Sequence, residues 1–262
     1  MERNYNNPDL NNLNIISSNR EKLDYLQNYY KNKTAIIVGT GPEYKNQIDS
    51  IKTILDENVI LICMKQSIKD FDMICDFHVY NGDHFENYKY TKNCKPIVLY
   101  LNYSRPNTKN WRRTLPIADI NLFKRSFHGT NHIRKNIITE LNNNQETNLF
   151  GWNDDNLGVG ENVCVHAYHV MFEQGLPLAV NLGCNRIITN GWVGGFSHGT
   201  KLIRENVIND SDISLESFER VQIDKYLTTY LKDNYHIKLF TLGYSLYTVP
   251  NLTICEFIRF FN

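Results

Sequence analysis

The sequence predicts an α/β fold built on a doubly wound, mostly parallel sheet. Two observations predict it: apolar runs of strand length without alternation, and amphipathic helical stretches between them. Unbroken apolar runs suit strands covered on both faces, whereas a strand with one wet face alternates. The first and most informative run is residues 34–42, TAIIVGTGP, in which Ala35 to Val38 lead into a Gly-x-Gly-Pro turn. Gly39 and Gly41 allow the main chain to turn sharply and to approach a ligand closely. Pro42 sets φ for a first helical position. A helix starting there would aim its free N–H groups and positive dipole end at an anion such as a phosphate. The turn matches half of a dinucleotide fingerprint, because no third glycine or downstream ribose carboxylate follows at the expected distance. Nucleotide binding and an ordinary strand–helix turn therefore both stand open on pattern alone.

The later elements follow in order. Residues 44–55 carry Ile48, Ile51 and Leu55 at helical spacing. Val59–Met64, VILICM, is a second unbroken run and hence a second parallel strand. Residues 76–80 make a weaker third strand ending in Asn81-Gly82, and residues 96–103, PIVLYLNY, a fourth. Residues 104–145 read as short amphipathic pieces rich in Asn, Arg and His. Residues 161–180 form a mostly apolar helical stretch, kinked or restarted at Gly175-Leu176-Pro177. RIIT at 186–189 is the fifth strand, 215–231 an amphipathic helix and 237–242 the last strand. Such alternation is the pattern of a Rossmann-like sheet, in which ligands sit beyond the carboxyl ends of the strands. The residues to inspect are then Thr40 and Gly41, Lys65 to Ser67, 81–84, and Asn190 to Trp192. Residues 1–33 are read as a polar N-terminal segment and 34–262 as one domain.

Composition limits the function classes. The chain has 262 residues, 42% of them hydrophobic, which is enough for a real core. Basic and acidic side chains balance at 28 each, so no general electrostatic case exists for nucleic acid or membrane as partner. The first 18 residues are polar and asparagine-rich, without an apolar signal core. No apolar run approaches the roughly 20 residues that span a bilayer. Six cysteines include no C-x-x-C pair, and several lie in apolar runs. Buried reduced thiols, and with them a cytoplasmic location, are expected.

The pieces IIVGTGP, ICMKQS, FHVYNGDHFENY, LGCNRIITNGW and IDKYLTTYLKDNYHIKLFTL stand in an order that resembles one known group. They resemble the bacterial sialyltransferases of the Campylobacter type (glycosyltransferase family 42) and the related DUF115-like proteins, from residue 34 to residue 242. The resemblance implies a GT-A-like glycosyltransferase that uses a nucleotide-activated sugar, typically CMP-linked, without a metal or other required cofactor. It implies a glycan or small-molecule acceptor. Carried over by motif, the nucleotide would be held by Gly39, Thr40, Gly41 and Pro42, by Gln66, and by Asn81. The family usually has Asn where Thr40 stands, and Asn-Gln where this chain reads Lys65-Gln66. A lid follows the fifth strand in those enzymes and carries a catalytic His and phosphate-flanking tyrosines. The corresponding residues 191–214 contain one histidine, His198, and no tyrosine. As general base, His198 would take the proton of an attacking sugar hydroxyl near neutral pH; a solvated loop histidine is the alternative.

Gly158-Val-Gly160-Glu161-Asn162 precedes the long apolar stretch, which makes Gly160 and Asn162 a second candidate nucleotide contact or simply a glycine-rich loop. His166 and His169, like His128 and His132, fall short of a metal site because no third ligand accompanies them. Residues 104–135 hold eight basic side chains against Asp119 alone, with Trp111, Phe123 and Phe127 interleaved. They form an anion subsite or a solvated basic face. Two other functions stay open. One is a Mg²⁺–ATP-dependent pyrophosphokinase of the DUF115-like type, with Asp76 and Asp83 as its metal candidates. The other is a non-catalytic nucleotide-binding module.

Overall fold

The computed structural model describes residues 8–16, 19–41, 44–71, 73–81, 97–101, 119–123, 171, 175–192, 236–243, 245 and 248–261. Helices α1 (Leu10–Ile15) and α2 (Asn19–Leu26) precede β1 (Thr34–Val38). A 3-10 turn at Tyr44–Gln47 runs into α3 (Ile48–Thr53), followed by β2 (Val59–Met64). Another 3-10 turn, Lys65–Ser67, leads to α4 (Ile68–Phe71) and β3 (Phe77–Asn81). Then come β4 (Ile97–Leu101), β5 (Asp119–Phe123), α5 (Leu176–Asn181) and β6 (Arg186–Asn190). The chain closes with β7 (Lys238–Leu242), β8 (Asn251–Leu252) and α6 (Ile254–Phe261).

These strands form one sheet in the order β5-β4-β3-β2-β1-β6-β7-β8. Every recorded pairing is parallel. β1 lies at the centre, with Val38 opposite Cys63 of β2 on one side and Asn190 of β6 on the other. The chain moves outward from β1 through β5 and then returns to the other flank at β6. That reversal is the topological switch point, where open α/β sheets place their ligand crevice.

All five residues of β1 and all six of β2 are buried, which accounts for their unbroken apolar sequence. Alternate residues feed two cores. Ala35, Ile37, Ile60 and Ile62 face Leu13, Leu26, Tyr30, the α5 residues Leu176 and Leu178, and Leu182 just after that helix. Ile36, Val38, Leu61 and Cys63 face Ile51 of α3, Ile68 and Phe71 of α4, and Phe257 of α6. The polar N-terminal segment thus contributes buried anchors to one layer, and the closing aromatic segment fills the other. In α6, Phe257 meets Phe261 edge-on at 5.4 Å and Phe260 meets Phe240 of β7 at 5.2 Å.

Two expectations about the strands change. Among the described residues Arg186–Asn190 is the sixth strand, because Asp119–Phe123 pairs in parallel with β4 as the end strand. An end strand needs no unbroken apolar run, and Asp119 and Asn121 interrupt this one. Residues 237–242 are not the last strand, since Thr241 and Leu242 pair with Asn251 and Leu252. Of the helical stretch expected at 161–180, Met171 and residues 175–180 are described; α5 begins at Leu176, with proline in its first turn.

Candidate functional site

At the carboxyl ends of β1 and β6 two loops are joined by backbone. The Gly39 N–H donates to the Asn190 carbonyl at 2.7 Å, and the Gly41 N–H to the Gly191 carbonyl at 3.0 Å. The chains are close enough to exclude side chains. A Cβ on Gly39 would stand 2.8 Å from the Gly191 oxygen, and one on Gly41 would overlap that oxygen. Gly191 has φ +68, and a Cβ there would stand 2.9 Å from the Cβ of Tyr44. Gly39 and Gly41 are absent from the residues with positive φ. Their glycine identity thus answers a close approach of backbone, while at Gly191 the left-handed conformation adds to it. With two of its N–H groups committed to β6 and Pro42 lacking one, Thr40 is the turn's remaining backbone donor, and its residue is exposed.

The amide of Asn190 anchors this junction. Its Nδ2 donates to Gln47 Oε1 at 2.7 Å and to the Leu242 carbonyl at 3.2 Å, tying β6 to the turn before α3 and to the end of β7. Asn190 is fully buried, and its Oδ1 accepts no hydrogen bond. Tyr44 lies above Gly191 and its hydroxyl donates to Asp70 Oδ2 at 2.8 Å, which bridges the segments after β1 and β2. Burial first and this bond second raise the Tyr44 hydroxyl well above its ordinary pKa.

The same edge continues over β2 and β3. Ser67 Oγ lies 2.8 Å from the Val38 carbonyl and accepts from the Met64 N–H at 3.0 Å, closing the ends of β1 and β2 together. Gln66, half-buried, precedes it in the 3-10 turn. Asn81 ends β3 opposite Leu101. Two strand spacings separate β3 from β1, so the Asn81 backbone stands on the order of 10 Å from the glycine turn. The structure therefore sets Gly39, Thr40, Gly41, Gln66 and Asn81 along one edge, with backbone hydrogen bonds joining the turn to the end of β6. Pro42, Gly160, Asn162 and His198 lie outside the described residues, as do most of 191–214, Asp83, both histidine pairs and most of the basic stretch.

Two buried groups act as scaffold. Asp76 sits at the amino end of β3, away from this edge, and its Oδ2 accepts the Leu61 N–H at 2.7 Å. The His78 ring, wholly buried, donates from Nε2 to the Lys65 carbonyl at 2.9 Å and so holds the start of the 3-10 turn carrying Gln66. Burial lowers its pKa to about 3, against a smaller opposing effect of that bond. The buried Cys63, Cys75 and Cys184 are free thiols, and burial pushes Cys184 up to about 12. Thiols in such surroundings are unreactive. Among the described residues no group of three or more His, Cys, Asp or Glu side chains is placed to hold a metal ion. No helix among them is long and apolar enough to cross a membrane.

Asn190 is among the residues that the sequence marks for inspection, in the 190–192 stretch, but its partner Gln47, 143 positions away, is not. No family model matches the chain, and neither the curated proteins nor the solved structures contain a match.

Proposed function

We propose that the carboxyl edge between β1 and β6 binds the nucleotide of an activated sugar, and that the protein is a glycosyltransferase. The observation that carries this reading is the position of the Gly39–Gly41 turn, which lies directly at the switch point of a parallel sheet. The order of short motifs shared with the Campylobacter-type sialyltransferases supports the choice of chemistry. In this account the Thr40 N–H and the polar groups after β2 and β3 meet the nucleotide. An acceptor hydroxyl, on a glycan or small molecule, attacks the anomeric carbon of the donor. The bond from that carbon to the nucleotide's phosphate oxygen breaks, the nucleotide leaves with the electron pair, and His198 takes the hydroxyl proton. No metal is required in this scheme.

The test is a thermal-shift screen with CMP, CDP, UDP, GDP and ATP, each in magnesium and in EDTA. A ligand bound only by the folded state raises its apparent stability with saturation. The reading expects a shift in EDTA with CMP or another sugar-carrier nucleotide, followed by transfer from the matching donor that His198→Ala abolishes. A shift with ATP and magnesium alone would replace it with the pyrophosphokinase. Binding without turnover across donors and acceptors would replace it with a binding module.

A further inference from the structure

We infer that Asn190 is a ligand-reading residue whose Oδ1 accepts a hydrogen bond from a neutral O–H or N–H of the nucleoside, an inference that rests on the nucleotide reading above. The amide's orientation is fixed by its surroundings. Nδ2 faces two acceptors, Gln47 Oε1 and the carbonyl of Leu242. Turning the amide over would set Oδ1 against that carbonyl, which cannot donate. Oδ1 is therefore the atom without a partner, on a side chain that is wholly buried.

Buried polar atoms are almost always paired, and an exception asks for an explanation. Thr34 Oγ1 is another orphan, but it lies at the amino end of β1, far from the ligand edge. Asn190 ends β6 at the switch point, and its own carbonyl accepts from Gly39. The surface is one residue away, where Gly191 and Gly41 are half-buried and Thr40 is exposed. An uncharged acceptor repels phosphate oxygens, which carry no proton to share near neutral pH. The group that meets Asn190 is therefore sugar or base. The same rule separates the two ends of the ligand: phosphate belongs on the Thr40 side and the nucleoside against β6.

Ribose hydroxyls and base N–H groups offer the same chemistry, and analogues distinguish them. The full chain is titrated calorimetrically with CMP, UMP, GMP and AMP, then with the 2′-deoxy and 3′-deoxy forms of the tightest binder. A site built around a buried acceptor rejects a ligand that leaves it unpaired. Loss of about tenfold or more in affinity is therefore expected on removing one hydroxyl, or on exchanging the base if the donor is there. The double variant Asn190→Leu with Gln47→Leu removes the amide pair together. It is expected to bind the same analogues within about threefold of one another. Wild-type affinities that agree within threefold across every analogue overturn the inference without any variant. Discrimination that survives in the double variant overturns it and leaves the nucleotide site standing. Failure of the wild type to bind any nucleotide overturns both readings.

Discussion

Gly41→Ala probes the junction of the turn with β6 most sharply. The added methyl would overlap the Gly191 carbonyl oxygen and stand 2.8 Å from the Gly191 carbonyl carbon and 3.1 Å from its Cα. All three atoms are backbone, so no side chain can swing away to relieve the contact. Gly41 is not among the glycines with positive φ, namely Gly183, Gly191 and Gly243. Alanine therefore meets no conformational penalty, and its cost is steric. Relief requires the turn to part from the β6 loop. Overpacking of this kind costs about 1–3 kcal/mol, and the loss of the Gly41 N–H bond adds about 1 kcal/mol. The expected loss is about 2–4 kcal/mol. In urea unfolding followed by far-ultraviolet circular dichroism, a slope of about 3 kcal/mol per molar converts this to a midpoint lower by about 1 M. Thr40→Ala, one residue away and exposed, should stay within about 0.5 kcal/mol of wild type. If Gly41→Ala also stays within that margin, the close approach does not explain the glycine.

Three further outcomes follow from the same geometry. Phe257→Ala removes a wholly buried ring that also meets Phe261, and should cost about 3–5 kcal/mol in urea unfolding. Ser67→Ala breaks the link from Val38 to Met64 and should cost about 1–3 kcal/mol by the same assay, since buried backbone groups lose their partner. His78 gives a pH dependence. Its pKa is about 3 when folded and 6.5 when free, so the unfolded chain binds the extra proton and stability falls as pH drops below about 6.5. The slope approaches about 1.4 kcal/mol per pH unit between pH 6 and 5, where most carboxylates have yet to titrate. Comparison with His78→Gln over that window isolates it: the variant's slope should be flatter, and an equal slope would count against a neutral buried imidazole.

The central strands were legible because their surroundings dictate their composition. Val59–Met64 is apolar at every position since both faces of β2 are covered. The glycine turn was legible as a place of close approach, but the sequence suggested a ligand there, whereas the atoms crowding Gly41 are the Gly191 backbone. β5 was not legible, because Asp119 and Asn121 break the apolar run and the sheet's end imposes no strict pattern. β8 has two residues, too few to carry a period. The polarity of residues 1–33 concealed Leu13, Leu26 and Tyr30, single anchors that periodicity does not reveal. At the candidate site, the sequence pointed to the carboxyl edge of the sheet, after β1, β2, β3 and β6. It could not show that the Gly39 and Gly41 amides bond to β6, nor that Gln47 meets Asn190, because both are long-range contacts. Asp76, a metal candidate by residue type, proved to be a buried acceptor for the Leu61 amide.

Hydrogen exchange with mass spectrometry, on the full chain with and without saturating CMP or whichever nucleotide binds tightest, tests the location of the site directly. The account predicts that added protection centres on residues 39–41 and 190–192, with a smaller effect at residues 65–67. Protection confined to other segments, or none at a concentration that saturates binding, would contradict a nucleotide site at the β1–β6 switch point.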